Sequence, residues 1–247
     1  MLSAQLEKIE LLIKKSRFTP TLFNIFINPF YFTKKGLYKG IKMHTDSIKG
    51  VMLDFGCGNK PYKNLFKVDK YIGLDIEKSG HDHKNEKIDF YYDGKKIPFQ
   101  DNYFDSIFSS EVFEHITNIN EILNELNRVL KKDGRILITV PFVWYEHECP
   151  YDYLRYTSFG IKHLLESKGF RTISIKKTTN YIETIFQIIN SYIYIILFPQ
   201  NKFIKIILSA IIITPITSLG ILLSKILPNN PSFFLNNIIL AEKYTDI

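Results

Sequence analysis

The stretch Val51-Met52-Leu53-Asp54-Phe55-Gly56-Cys57-Gly58 constrains this chain more than any other. Val51, Met52 and Leu53 make an apolar run too short for a helix. The glycines that follow close it off, so it reads as a buried strand turning sharply at its carboxyl end. Gly56 and Gly58 permit unusual dihedrals and let a ligand approach the main chain. A pyrophosphate-binding loop would continue as G-x-G-x-x-G into a helix, whereas here Pro61 takes the third position in G-C-G-N-K-P. The turn predicts a nucleotide-type site, and Pro61 argues against a nicotinamide dinucleotide.

The following segments repeat a strand that ends in an acid. Tyr71 to Leu74 read as a second strand ending in Asp75, seventeen residues after Gly58, where a carboxylate can accept both hydroxyls of a ribose. Ile88 to Tyr92 read as a third, ending in Asp93-Gly94. Ser106 to Ser109 read as a fourth, leading into Ser110-Glu111-Val112-Phe113-Glu114-His115. Ligands of open α/β sheets sit outside the carboxyl ends of strands, so this last stretch faces the reacting groups. Asn118 and Glu121 suggest a capping box for a helix with the stripe Ile119, Ile122, Leu123, Leu126, Val129 and Leu130, ended by Gly134. Arg135 to Val140 read as a fifth strand, Phe159 to Lys168 as a helix, Phe170 to Lys176 as a strand, and Asn236 to Ala241 as a closing strand.

With these flanks, Gly56-Cys57-Gly58-Asn59-Lys60-Pro61-Tyr62 resembles the class I S-adenosylmethionine (SAM) dependent methyltransferases, in the type 11-like subgroup with a G-C-G-x-x-P-Y loop. The resemblance runs from about Gly50 to Thr178 and returns at Asn236 to Lys243. It implies an α/β, Rossmann-like sheet of seven strands, the last antiparallel, with helices on both faces. It also implies SAM as cofactor. The glycine loop, with Asp54, Gly56, Cys57 and Gly58, would wrap the methionine part, which carries no phosphate and needs no third glycine. Asp75 and Ile76 would hold the ribose, Asp93 with Gly94 the adenine, and Ser110 and Glu111 would face the sulfonium. The loop His147 to Thr157, H-x-x-P-x-D-Y-x-R-Y-T, is also seen in that subgroup and is expected to shape the acceptor pocket.

Methyl transfer from a sulfonium is an in-line displacement, so much of its rate comes from alignment. A hydroxyl acceptor must also lose a proton, for which His115 and His147 are the candidate bases and Asp152 an orienting partner. A carboxylate acceptor needs no base and would suit Arg155. His115 could instead be a capping or packing histidine. Neither His81-Asp82-His83 nor His147-Glu148-Cys149 has the spacing of a structural zinc site, so no metal is expected. Ser109-Ser110-Glu111-Val112 is unlike the Asn/Asp-Pro-Pro-Tyr/Phe of adenine and amide nitrogen methyltransferases.

Charge is unevenly placed along the 247 residues: net +6 over residues 1–50, zero over 51–180 and +2 over 181–231. A neutral core argues against a nucleic-acid substrate, while the basic flanks suit an anionic surface. Leu6, Ile9, Leu12 and Ile13 suggest an amphipathic helix over residues 4–15, and the aromatics and lysines between 22 and 42 suggest a lid or a lipid-facing segment. Four pieces are expected: a basic helical segment (1–50), the SAM-binding core (51–180), a hydrophobic insertion (181–231) and the closing strand (232–247). Ile182 to Phe198 is mostly apolar and Ile206 to Leu223 carries no charge, with Lys202 and Lys205 in the turn between them. Because the last strand must rejoin the sheet, two helices lying in or dipping into a membrane interface are expected rather than a span. Helices packed on the domain, or forming a dimer contact, are the alternative. The absence of a leader-like start and the unpaired Cys57 and Cys149 suggest a cytoplasmic protein, peripheral to the membrane. Nothing in the sequence sets an oligomeric state. The expected function is methylation of a small or lipid-linked acceptor; the alternative is a non-catalytic SAM-binding or membrane-associated protein on the same fold.

Overall fold

The computed structural model describes residues 24–77 and 88–246. The helix expected over 4–15 and the His81-Asp82-His83 cluster lie outside them. The described chain divides into two compact units: residues 40–176 with 236–246, and residues 24–39 with 177–235. The part of the basic amino-terminal segment from 24 to 39 and the hydrophobic insertion, read from sequence as separate pieces, therefore form one unit.

The first unit is built on seven strands: β1 (Val51–Phe55), β2 (Lys70–Ile76), β3 (Phe90–Tyr92), β4 (Phe104–Ser110), β5 (Leu130–Pro141), β6 (Phe170–Lys177) and β7 (Asn236–Lys243). Their order is β3-β2-β1-β4-β5-β7-β6. Pairings from β3 through β5 are parallel, and β7 runs antiparallel to β5 with Ile239 opposite Ile138. The order reverses between β1 and β4, which opens a crevice at their carboxyl ends. Leu53, Leu74, Ile107, Ile136 and Ile239 supply the sheet's share of the core. Leu123 and Leu126 from the helix Ile119–Val129, and Ile161 and Leu165 from the helix Ser158–Glu166, pack against them.

Two local expectations fail for identifiable reasons. The helix beginning at Ile119 ends at Val129, and Leu130 already belongs to β5, opposite Phe104. The register then slips so that Ser106 faces Arg135, and Asp133 takes up the extra length with φ +60°. Gly134 therefore marks a bulge rather than a helix stop: a Cβ there would lie 2.7 Å from Leu130 Cδ1. Asn118 does not cap through its oxygen either. Its amide donates to Gly94 O at 3.1 Å and to Glu121 Oε2 at 3.1 Å, tying the helix start to the turn after β3.

The second unit is a helical hairpin clasped by the amino-terminal segment. One arm is the helix Tyr181–Tyr192, continued by the π-helical turn Ile193–Leu197, and Asn180 and Glu183 close a capping box at its start. The other arm is a continuous helical run, Lys202–Leu208, Ser209–Ile213 and Thr214–Ile226. Lys205 thus stands on the first turn of this arm, not in the connection, where Asn201 accepts from the Phe203 and Ile204 N–H groups. Asn190 Nδ2 donates to Thr217 Oγ1 at 2.9 Å, and Gly220 packs where a Cβ would meet Phe186 Cγ at 2.7 Å, so the arms run antiparallel in close contact. Gln187 Oε1 accepts from Phe32 N at 3.1 Å and Thr33 N at 3.4 Å, satisfying donors that a helix start leaves unpaired.

This unit buries polar side chains alongside apolar ones and leaves many large apolar side chains exposed. Thr184, Gln187, Asn190 and Thr217 are fully buried, whereas Ile196, Phe203 and Ile211 are 62%, 61% and 65% exposed. The helix Phe203–Ile226 has a mean hydropathy of 2.4, and 28% of its apolar window is buried.

Candidate active site

The glycine turn folds as its sequence requires. Gly56 (φ +70°) and Gly58 (φ +43°) both occupy the left-handed region, and a Cβ on Gly56 would meet Val112 Cγ2 at 2.4 Å. Gly58 N donates to Asp75 Oδ2 at 2.7 Å, and Ile76 N donates to Asp75 Oδ1 at 2.8 Å. The carboxylate at the end of β2 is thereby oriented toward the turn after β1. Cys57 is buried beside Gly73, and burial pushes its thiol pKa up, so it packs rather than reacts. Asp54 is buried, accepts the Tyr71 hydroxyl and is pushed up to about 7, chiefly by burial. Asp93 is exposed; Oδ1 accepts from Lys95 N at 2.9 Å and Lys96 N at 3.0 Å, which shapes the turn that Gly94 (φ +79°) completes.

At the end of β4 the chain enters a strained conformation at Glu111, φ +56°. Its carboxylate accepts from Thr139 Oγ1 at 2.7 Å and Asn236 Nδ2 at 2.6 Å, and Ser110 Oγ meets Thr139 Oγ1 at 2.9 Å. Ser110 and Glu111 therefore sit at the strand ends but are joined to β5 and β7.

The short helix Phe113–His115 and the loop after β5 close on each other. Tyr153 N and Leu154 N donate to Glu114 O, and Tyr156 OH donates to Phe113 O. His115 Nδ1 lies 2.7 Å from Tyr151 O; a carbonyl can only accept, so Nδ1 carries a proton, and in the neutral ring the lone pair falls on Nε2. His147 Nδ1 lies 3.1 Å from Asp152 Oδ2, which also accepts from His147 N at 2.9 Å. Asp152 is held by Arg155 through two bonds of 2.6 Å, and this pairing keeps its carboxyl well below the usual range. His147 therefore also exposes Nε2 as an acceptor, and desolvation lowers its pKa. The two imidazole rings are 5.0 Å apart.

Arg155 corrects one expectation. Its remaining donors go to Trp144 O, Leu154 O and Tyr145 O, so all five N–H groups are engaged within the loop. It positions Asp152 and has no fork left for an acceptor's carboxylate. Glu114 is the residue that sequence reading missed. It is 0% exposed, neither carboxylate oxygen meets a hydrogen-bond donor, and burial, then the neighbouring Glu111, hold its pKa well above the ordinary value. Its only sequence signal is its place in Glu111-Val112-Phe113-Glu114-His115, directly after the fourth strand.

A mixed seven-stranded sheet with a glycine turn after β1 and an acid closing β2 defines the class I SAM-dependent methyltransferase fold. Residues 53–138 match the family described as "Methyltransferase domain". An uncharacterised protein of Methanocaldococcus jannaschii is 36% identical over 97 residues, 36% of this chain and 40% of its own length. A tRNA (carboxymethyluridine(34)-5-O)-methyltransferase of Arabidopsis thaliana is 34% identical over 97 residues, 36% of this chain and 24% of its own. The chain thus spans less than half the length of either relative. Among solved structures, phosphoethanolamine N-methyltransferase 2 of Haemonchus contortus in complex with SAM superposes with TM-score 0.51 at 18% identity, covering 93% of this chain and 59% of the other. The [4+2]-cyclase SpnF does so with TM-score 0.53 at 15% identity, covering 86% and 82%. These likenesses concern the fold; the second belongs to a protein named for a different reaction.

Proposed function

We propose that this chain transfers the methyl group of SAM to a hydroxyl of a small or lipid-linked acceptor, working as a peripheral protein at the cytoplasmic face of a membrane. The observation that carries the reading is the Gly58–Asp75 bond, which holds an acid at the end of β2 beside a glycine turn within the stretch that matches the methyltransferase family model. SAM would supply an electrophilic methyl on a sulfonium. Asp75 accepts from the ribose hydroxyls, Asp93 through Oδ2 from the adenine amine, and the backbone around Gly56 and Gly58 admits the methionine portion. Ser110 and Glu111 hold the sheet ends that face the reacting atoms. The proton that a hydroxyl loses would be taken by His115, whose Nδ1 is held by Tyr151 O, or by His147, whose Nδ1 is held by the Arg155-clamped Asp152. The full engagement of Arg155 favours a hydroxyl over a carboxylate acceptor. The neutral charge of residues 51–180 supports a small molecule over a nucleic acid. The apolar exterior of the hairpin supports a lipid surface as the partner of residues 181–231, with a sugar or glycolipid precursor as a fitting acceptor class.

Calorimetric titration with SAM, with S-adenosylhomocysteine and with NAD tests the cofactor. Micromolar binding of the first two is expected, with none for NAD and a loss of roughly a hundredfold in Asp75→Ala, since about two charge-assisted hydrogen bonds go with the carboxylate. Folded protein that binds neither SAM nor its product would remove the proposal. SAM binding combined with normal cellular product in variants of His115 and His147 would favour a non-catalytic SAM-binding protein.

A further inference from the structure

We infer that Glu114, His115 and His147 form a binding site for a divalent transition-metal ion beside the acceptor position. The ligand atoms these residues offer all lie within 4.8 Å of one another. The sequence does not announce the site, because His147 stands thirty-two residues beyond His115 and arrives only when the loop after β5 folds back onto the helix Phe113–His115.

Three independent features point to a ligand. The first is the unsatisfied chemistry: both Glu114 oxygens and His115 Nε2 are shielded from solvent and meet no hydrogen-bond partner. Buried polar atoms are normally paired, and leaving a carboxylate without donors is expensive unless something cationic completes it. The second is the support behind each histidine. An imidazole that binds a metal typically donates its other N–H to a backbone carbonyl or a carboxylate. His115 donates to Tyr151 O, and His147 donates to Asp152, which Arg155 clamps in turn. The third is convergence. His115 Nε2 lies 3.8 Å from Glu114 Oε1 and 3.8 Å from Glu148 Oε2, so a fourth oxygen donor stands at the edge of the cluster. Tetrahedral ligands about 2.0–2.1 Å from an ion are roughly 3.3 Å apart, a modest contraction of these spacings.

Two imidazoles with one or two carboxylates suit zinc, iron(II), manganese or cobalt better than magnesium or calcium, which favour all-oxygen sites. The proposed role rests on the methyl-transfer reading; the ion site does not. An acceptor hydroxyl coordinated at the open position is acidified by the ion and loses its proton to water. The resulting oxygen attacks the SAM methyl, the O–CH3 bond forms as the S–CH3 bond breaks, and the bonding pair stays on sulfur. The products are a methyl ether and neutral S-adenosylhomocysteine.

The test uses the full chain, stripped with a chelator and titrated with Co2+ under visible absorption, then with Zn2+ in competition. One ion per chain is expected, with ligand-field bands of a four- or five-coordinate site and displacement by Zn2+. Glu114→Gln and His147→Asn, each checked for folding by circular dichroism, should weaken binding more than roughly tenfold. Pulsed electron paramagnetic resonance of the wild-type Mn2+ form should report coupling to imidazole nitrogen, which keeps the inference testable if a variant fails to fold. No saturable binding, or binding without nitrogen coupling, would overturn it, as would affinity unchanged in both folded variants. Ion binding without SAM binding would keep the site and remove methyl transfer; SAM binding without an ion would do the reverse.

Discussion

Single side chains in this protein are readable from sequence when their chemistry is local. Gly56, Gly58 and Asp75 fall within one strand-turn-strand unit, and the left-handed dihedrals and the Gly58–Asp75 bond follow from that spacing. Asp54 is a less obvious case. Burial raises its carboxyl from 3.8 to about 7, so the folded chain holds a proton that the unfolded chain has lost. For a raised pKa the stabilisation is fully present below the unfolded value and disappears as pH rises through the folded one. The melting temperature should therefore fall between about pH 4 and about pH 7, and Asp54→Asn should flatten that slope. A parallel pH dependence in the variant would assign the trend to other groups. Glu114 was illegible for the opposite reason. An acid two places after Val112 reads as surface until the loop 147–156 buries it, and burial is a property of the fold rather than of the residue. Lys243 is similar: a lysine near a strand end proves to be buried, donating to Leu130 O at 2.8 Å and Asn102 Oδ1 at 3.1 Å. Lys243→Ala strands these acceptors and should cost about 2–4 kcal/mol of stability in chemical denaturation.

At the level of elements, the strands were legible because apolar runs ending in acids and glycines have few alternative readings, and their observed bounds differ from expectation by a few residues. β5 was the exception, since its first residues belong to a bulge whose partner, Phe104, is distant in sequence. The hairpin arms were visible as apolar segments, but their inward polar stripe was not: Gln187, Asn190 and Thr217 acquire meaning only from the partners they find. Close approach of the arms depends on Gly220. Gly220→Val places methyl groups where Phe186 stands and should destabilise the hairpin by about 1–3 kcal/mol. Faster proteolysis within residues 198–201 than in wild type would register the loss; an unchanged cleavage rate would mean that the arms separate without cost.

For the whole molecule, two different logics of burial coexist. Residues 40–176 and 236–246 place leucine and isoleucine inside, as water requires, while residues 177–235 bury amides and hydroxyls beside Ile213 and Leu235 and leave most of their isoleucines outside. If a lipid surface is the partner of the second unit, flotation with anionic vesicles should carry the protein upward. Ile196→Glu combined with Ile211→Glu should then leave most of it in the dense fraction. Equal flotation of the two proteins would exclude the hairpin as the contact. The same variants should retain SAM binding, because neither position belongs to the unit that holds Asp75.

Strand order has a further consequence during synthesis. In the sheet β6 has a single neighbour, β7, and β7 also covers the free edge of β5. A ribosome delivers β6, then all of residues 178–235, and only afterwards the strand Asn236–Lys243 that joins β6 to the rest. Until then the nascent chain displays an open sheet edge and an oily hairpin together. Nascent chains arrested before Asn236 should accordingly be protease-sensitive throughout β6, and release of the final strand should protect both edges in one step. The edge strand and the hairpin thus wait on the same late segment, so the closing of the sheet and the completion of the inserted unit are timed together.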